Sequence, residues 1–252
     1  MKLNIISFLI GLAAGAFAGL AGLGGGLILI PLMNYILKLS QHQVHGTTLV
    51  AIIFTGLSGA ITYGVNGAID YTAAALLAGA AVSTASVGAR YAHTLPFWKL
   101  RKSFGFFLIF CAVLLFFKPY LTDIIGIVPG WGKIMVLLIT GLVTGFLSGM
   151  MGIGGGAIMV PVMVLLAGFT QHVAQGTSLL VMIPAGAVGA LTHQRLGNVV
   201  PELLWGLIPG LLLGAYLGGS FAYLLQENML RIMFAAVIIW IGLRYARTPK
   251  IP

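Results

Sequence analysis

Residues 19–32 read GLAGLGGGLILIPL, and residues 149–162 read GMMGIGGGAIMVPV. Each stretch places three consecutive glycines, and a proline five residues beyond them, inside a strongly apolar run. Glycine and proline both disfavour a helix interior. One such cluster calls for a break in the element that carries it, and two call for a duplicated break.

Composition fixes the setting of these breaks. Apolar residues make up 60% of the 252, charged residues only 7%, and the mean hydropathy is +1.08. A soluble domain carries about 25% charged residues. Leu39–Ile69, Tyr71–Ala89, Ile134–Gln194 and Leu203–Gln226 contain no Asp, Glu, Lys or Arg. At roughly 20 residues per crossing, these runs predict membrane helices in hairpins. The first apolar segment outlasts the roughly 7–15 residues of a signal-peptide core, so it reads as a retained membrane segment. Cys111 is the single cysteine and lies in an apolar run, which leaves it a packing role. The net charge of +9 comes from Lys and Arg set singly or in short groups between apolar runs. That pattern anchors a chain in a bilayer and offers no nucleic-acid surface.

Shifting the sequence by 130 residues aligns its halves without a gap through their first 40 positions, with 16 identities between positions 11 and 50. Gly11, Gly15, Gly19, Gly22, Gly24, Gly25, Gly26 and Pro31 fall on Gly141, Gly145, Gly149, Gly152, Gly154, Gly155, Gly156 and Pro161. Gln41, His42, Gly46, Thr47 and Leu49 fall on Gln171, His172, Gly176, Thr177 and Leu179, and Gly67 and Arg101 meet Gly197 and Arg231. A fixed-period match of this kind marks an internal repeat. The chain therefore divides into a first membrane repeat (1–120), a linker (121–132) and a second repeat (133–252), each with four apolar segments. These are 4–38, 44–65, 71–92 and 101–118, then 134–168, 174–194, 203–225 and 230–246. The expected fold is an all-α polytopic membrane protein of two homologous halves.

The first segment of each half is too long for one crossing. A 35-residue helix would measure about 52 Å against a hydrocarbon core of about 30 Å. The glycines divide it into 4–21 and 27–38, and into 134–151 and 157–168, with Pro31 and Pro161 in the opening turns of the second pieces, where proline is tolerated. A break inside the membrane persists where protein encloses it or where it lines a polar cavity. It also presents helix N-termini, whose N–H groups and positive dipole ends favour anions. Gly24, Gly25, Gly26, Gly154, Gly155 and Gly156 are thus the candidate substrate contacts. Gly11, Gly15 and Gly19, at four-residue spacing, read instead as a helix-packing surface.

The charges choose a threading. If the broken pieces form a re-entrant hairpin, Lys2, Lys38, Arg90, Lys99, Arg101, Lys102, Arg195, Arg244, Arg247 and Lys250 share one side, and Lys118, Lys133 and Arg231 the other. A four-crossing half gives seven against six, which is no bias. The ten-to-three split satisfies the positive-inside rule and puts both termini in the cytoplasm. Three crossings per half make the halves inverted repeats, related by a pseudo-two-fold axis, as alternating-access carriers are built.

Few polar groups interrupt the apolar runs. Thr47, Thr48, Thr177 and Ser178 follow the paired glycines Gly46 and Gly176, one turn inside the second segment of each half. They read as further substrate donors beside the breaks, or as hydroxyls bonded to nearby carbonyls. His42 and His172, titrating near neutrality, are candidates for proton coupling. His193 and Arg195 read as interfacial anchors, Asp70 and Glu202 as caps of the segments that follow, and Trp98 and Trp131 as members of an aromatic belt. No carboxylate or cysteine accompanies the histidines, so no metal site is expected. Nor does any catalytic set or cofactor motif emerge. The chain reads as a non-enzyme.

With these residues in place, GLAGLGGGLILIP and GMMGIGGGAIMVP, followed by HGTTL and QGTSL, resemble the duplicated signature of the sulfite exporter TauE/SafE family across nearly the whole chain. The resemblance implies a cell-membrane carrier for a small sulfur-containing anion such as sulfite or an organosulfonate. The first copy has His45 where the second has Gln175, an asymmetry with a bearing on selectivity. A passive anion channel and a non-transporting membrane assembly protein are the alternative readings. Self-association into a homo-oligomer is left open.

Overall fold

The computed structural model describes residues 2–92, 97–117, 128 and 130–247. The expected linker lies largely outside them, as do the side chains of Lys2, Trp98, Lys99 and Arg101. The described elements are all helical: α1 (Lys2–Ala21), α2 (Gly26–Ile36), α3 (Gln41–Val65), α4 (Tyr71–Tyr91), α5 (Phe97–Phe116), α6 (Trp131–Met151), α7 (Gly156–Leu165), α8 (Gln171–Arg195), α9 (Pro201–Ala222) and α10 (Glu227–Ala246). Seven of them are long and apolar enough to cross a membrane, while α2 and α7 are too short. Large apolar side chains cover the outside, among them Leu9, Ile61, Phe106 and Trp205, as a surface solvated by lipid requires.

Sequence-local chemistry sets the helix ends. Ser40 and Gln43 form a reciprocal capping box at the start of α3, with Gln43 N–H donating to Ser40 Oγ at 3.3 Å and Ser40 N–H to Gln43 Oε1 at 3.2 Å. Thr170 caps α8 by a single bond, its hydroxyl accepting from Val173 N–H at 3.3 Å. Asp70 caps α4, accepting from Ala73 N–H at 2.8 Å. Glu202 does not cap α9. Val200 holds that position without a side-chain bond, and Glu202 sits in the first turn, where its charge faces the positive dipole end. Gly67 and Gly197, both at positive φ, close α3 and α8.

Helix packing respects the 130-residue repeat. α1 packs on α9, and its counterpart α6 packs on α4. α3 packs on its own counterpart α8, and α5 on α10. The α1–α9 pair runs parallel. Gly11 faces Leu207 and Leu211, Gly15 faces Leu211, and Gly19 faces Ala215 and Gly219. α6 meets α4 likewise through Gly141 on Leu77, Gly145 on Ala81 and Gly149 on Ala85. The counterpart helices α3 and α8 run antiparallel, since Gly56 faces Leu179 and Ile183 while Gly186 faces Leu49, Ile52 and Ile53. The glycine rows are packing surfaces, as their spacing predicts.

Candidate functional site

Both glycine clusters interrupt their segments. α1 ends at Ala21 and α2 starts at Gly26; α6 ends at Met151 and α7 starts at Gly156. Gly22, Gly24 and Gly25 take φ of 66°, 76° and 78°, and Gly152 and Gly154 take 64° and 80°. These left-handed conformations strain any residue with a Cβ. The chain then folds back on itself: a Cβ on Gly25 would lie 3.1 Å from the carbonyl oxygen of Ala14 and 3.3 Å from Ala18 Cβ, both on α1. Pro31 and Pro161 are each the sixth residue of their helices, in the second turn. Their missing N–H groups leave the carbonyls of Leu27 and Ala157 without an in-helix donor.

The two breaks meet. A Cβ on Gly26 would lie 2.5 Å from the carbonyl oxygen of Ile153 and 2.6 Å from that of Gly152, and one on Gly156 would lie 2.9 Å from Leu23 Cα. Ile52 and Met182, at equivalent positions, flank both loops. A Cβ on Gly154 would lie 3.3 Å from Ile52 and 3.5 Å from Met182, and one on Gly24 would lie 3.5 Å from Ile52 and collide with Met182 Sδ. The N-termini of α2 and α7 therefore converge in the interior. In each, the N–H groups at the third and fourth positions turn back to the N-cap carbonyl: Ile28 and Leu29 to Gly25, Ile158 and Met159 to Gly155. Those of Gly26, Leu27, Gly156 and Ala157 have no acceptor within their own helix.

Side chains from other helices satisfy the carbonyls that the breaks release. Ser178 Oγ donates to Gly22 O at 2.8 Å, Thr55 Oγ1 to Gly24 O at 3.1 Å and Tyr63 Oη to Gly19 O at 3.0 Å. In the second half, an Nε2–H tautomer of His193 donates to Gly149 O at 3.1 Å. His193 is thus fully buried and holds a helix end, where the sequence reading made it an interfacial anchor. His45 is buried with its backbone against Gly152, and Gln175 packs on Gly22. Thr144, buried beside Gly155, has no counterpart hydroxyl, because the equivalent position is Ala14.

The predicted hydroxyls divide. Ser178 reaches the first break. Thr48, also buried, lies 3.9 Å from Met33 Sδ on α2. Thr47 Oγ1 accepts from Val200 N–H at 3.1 Å, and Thr177 Oγ1 from Asp70 N–H at 3.0 Å, so this pair fastens the loops that open α9 and α4. His172 places Nε2 3.2 Å from Ala222 O and stacks on Tyr223 at the end of α9, and His42 is half-buried in the first turn of α3. Sequence reasoning passed over Thr55 and Tyr63. Tyr63 and His193 occupy equivalent positions with different residues, so a search for repeated identities misses both.

A family model described as sulfite exporter TauE/SafE matches residues 7–245. The chain belongs to that family. Among its relatives, the probable membrane transporter protein YunE of Bacillus subtilis is 28% identical over 94% of this chain and 95% of its own length. The probable membrane transporter protein MJ0441 of Methanocaldococcus jannaschii is 25% identical over 96% of this chain and 93% of its own. No solved structure matches. This TauE/SafE family member is a multi-pass membrane protein, and the matched span of residues 7–245 includes both glycine breaks.

Proposed function

We propose that this protein carries a small sulfur-containing anion, such as sulfite or an organosulfonate, across the cytoplasmic membrane by alternating access. The observation that carries the reading is the convergence of the α2 and α7 N-termini at the paired glycine breaks. Two positive helix ends with N–H groups outside the helical ladder favour an oxyanion. Gly24–Gly26 and Gly154–Gly156 let the two loops pack closely enough for both helix ends to meet. Thr48 and Ser178 stand at the edge of the site, with Thr47 and Thr177 holding the loops behind it. Neutral donors avoid the cost of a resident charge in mid-membrane, at least ~2.5 kcal/mol for lysine or arginine. The antiparallel run of counterpart helices α3 and α8 supports inverted halves, and the fold-back of α2 on α1 supports the re-entrant threading.

The test is counterflow in proteoliposomes with a panel of sulfite, sulfate, thiosulfate and sulfonates. Carrier action predicts saturable exchange of at least one. Thr47→Val and Thr177→Val each remove an acceptor from a buried N–H and should weaken binding by about 1–3 kcal/mol, with Thr→Ser restoring it and Arg195→Gln costing far less. Absence of flux for every member would favour an assembly role, and electrogenic flux without saturation a channel.

A further inference from the structure

Along α8, Gln171, Gln175 and Ser178 stand at i, i+4 and i+7, and so share one helix face. All three are fully buried. One end of this stripe is fixed at the first glycine break: Ser178 Oγ donates to Gly22 O, and a Cβ on Gly22 would lie 2.6 Å from Gln175 Cβ. The other end is fixed at the start of α10, where Glu227 Oε1 accepts from Gln171 N–H at 3.2 Å. One turn along α10 from Glu227 stands Arg231, nine-tenths buried. Its Nη2 donates to Asn228 Oδ1 at 2.9 Å.

Among the described residues of this file, Arg231 Nε and both amide atoms of Gln171 have no partner. The Gln175 amide lies 2.8 Å from Tyr63 Oη, whose single proton serves either this amide or Gly19 O. A buried guanidinium N–H and a buried amide left without partners both cost free energy. Neither is expected of packing alone. An anion that visits the file would supply what both lack.

We infer that Arg231, Gln171 and Gln175 form an oxyanion pathway from the α8/α10 end of the molecule to the first glycine break. Arg231 is the entry site and the two amides are successive donors. The ligand class is a sulfur oxyanion or the sulfonate head of an organic anion. Over seven residues of helix the path measures about 10 Å. In the first half the equivalent positions are Gln41, His45, Thr48 and Arg101. Gln41 is exposed where Gln171 is fully buried, so the two ends of the duplicated path differ in access.

This inference rests on the carrier reading, and the experiment separates the two. Affinity for sulfite and for methanesulfonate is measured on purified full-length protein, with and without phosphatidylglycerol, alongside proteoliposome uptake. Arg231→Gln and Gln171→Leu should each raise the half-saturating concentration about ten- to a hundredfold. Arg231→Lys should recover part of the loss, and Gln175→His, the residue of the other half, should bind better than Gln175→Leu. Melting temperature and monodispersity identify misfolded variants, and Gln175→His against Gln175→Leu keeps the test open if Arg231→Gln misfolds. Wild-type protein that binds and moves none of the anions overturns the carrier reading. Wild-type transport with unchanged affinity in folded Arg231→Gln and Gln171→Leu overturns the pathway alone. Loss of bound phosphatidylglycerol in Arg231→Gln, with sulfite affinity intact, assigns Arg231 to a lipid phosphate and likewise overturns it.

Discussion

At Gly26, a methyl group is the difference between two breaks that interlock and two that cannot. Its Cβ would fall 2.5 Å from a carbonyl oxygen of the opposite loop, where only backbone could yield. Gly79, in α4, has nothing within 4 Å of its own Cβ position. Gly26→Ala should therefore lower the melting temperature sharply and abolish transport, whereas Gly79→Ala should leave both unchanged or slightly improved. Gly67 isolates the third case. It is at φ 69° with open space around it, so Gly67→Ala should show conformational strain alone, about 1–2 kcal/mol. Thermal unfolding in detergent ranks the three, and equal stability of Gly26→Ala and Gly79→Ala would refute the interlock. The sequence named Gly26 and Gly67 because they recur, but recurrence alone does not distinguish a residue that admits a ligand from one that admits the other half.

Helices in lipid gain nothing from burying apolar surface against one another, so close approach must come from small residues. The α1–α9 seam follows that rule on both sides. Gly11, Gly15 and Gly19 seat against Leu207, Leu211 and Ala215, and Gly206, Gly210, Gly214 and Gly218 seat against Asn4, Phe8, Leu12 and Ala16. In the counterpart seam α6 keeps its glycines, but α4 offers Ala80 and Thr84 where α9 has Gly210 and Gly214. A Cβ on Gly15 would lie 2.5 Å from Leu211 O and 2.9 Å from Leu211 Cα. Gly15→Leu should thus separate α1 from α9 and reduce the yield of folded protein, while Gly132→Leu, at the start of α6, should be milder. Membrane yield and size-exclusion profile decide it. The glycine spacing made this surface legible in the sequence. Its partner was not, because α9 lies some 200 residues downstream and nothing local specifies the pairing.

At the scale of the molecule, the charge split of the sequence and the antiparallel run of α3 and α8 make the re-entrant threading the one to test. Lys38 and Arg195 are exposed at one expected face, and Asn66, at the far end of α3, is exposed at the other. Single cysteines at positions 2 and 38 should label from the same side, and one at 66 from the opposite side, after replacement of buried Cys111. Labelling of positions 2 and 38 from opposite sides would turn each half into four crossings and remove the inversion.

The sequence alone determined the membrane setting, the helix count to within the break, the duplication and the glycine loops themselves. Each of these depends on local hydropathy, backbone propensity or a fixed period, and such properties do not depend on where distant residues lie. Tertiary structure decided what the breaks face. It set the two loops against each other, gave their carbonyls to Thr55, Tyr63, Ser178 and His193, and turned Thr47 and Thr177 toward the loops at Val200 and Asp70. It also moved His193 from the expected interface into the interior. The reason is electrostatic: in a medium without water, each freed backbone group must find a partner, and the partner comes from whichever helix the fold brings alongside.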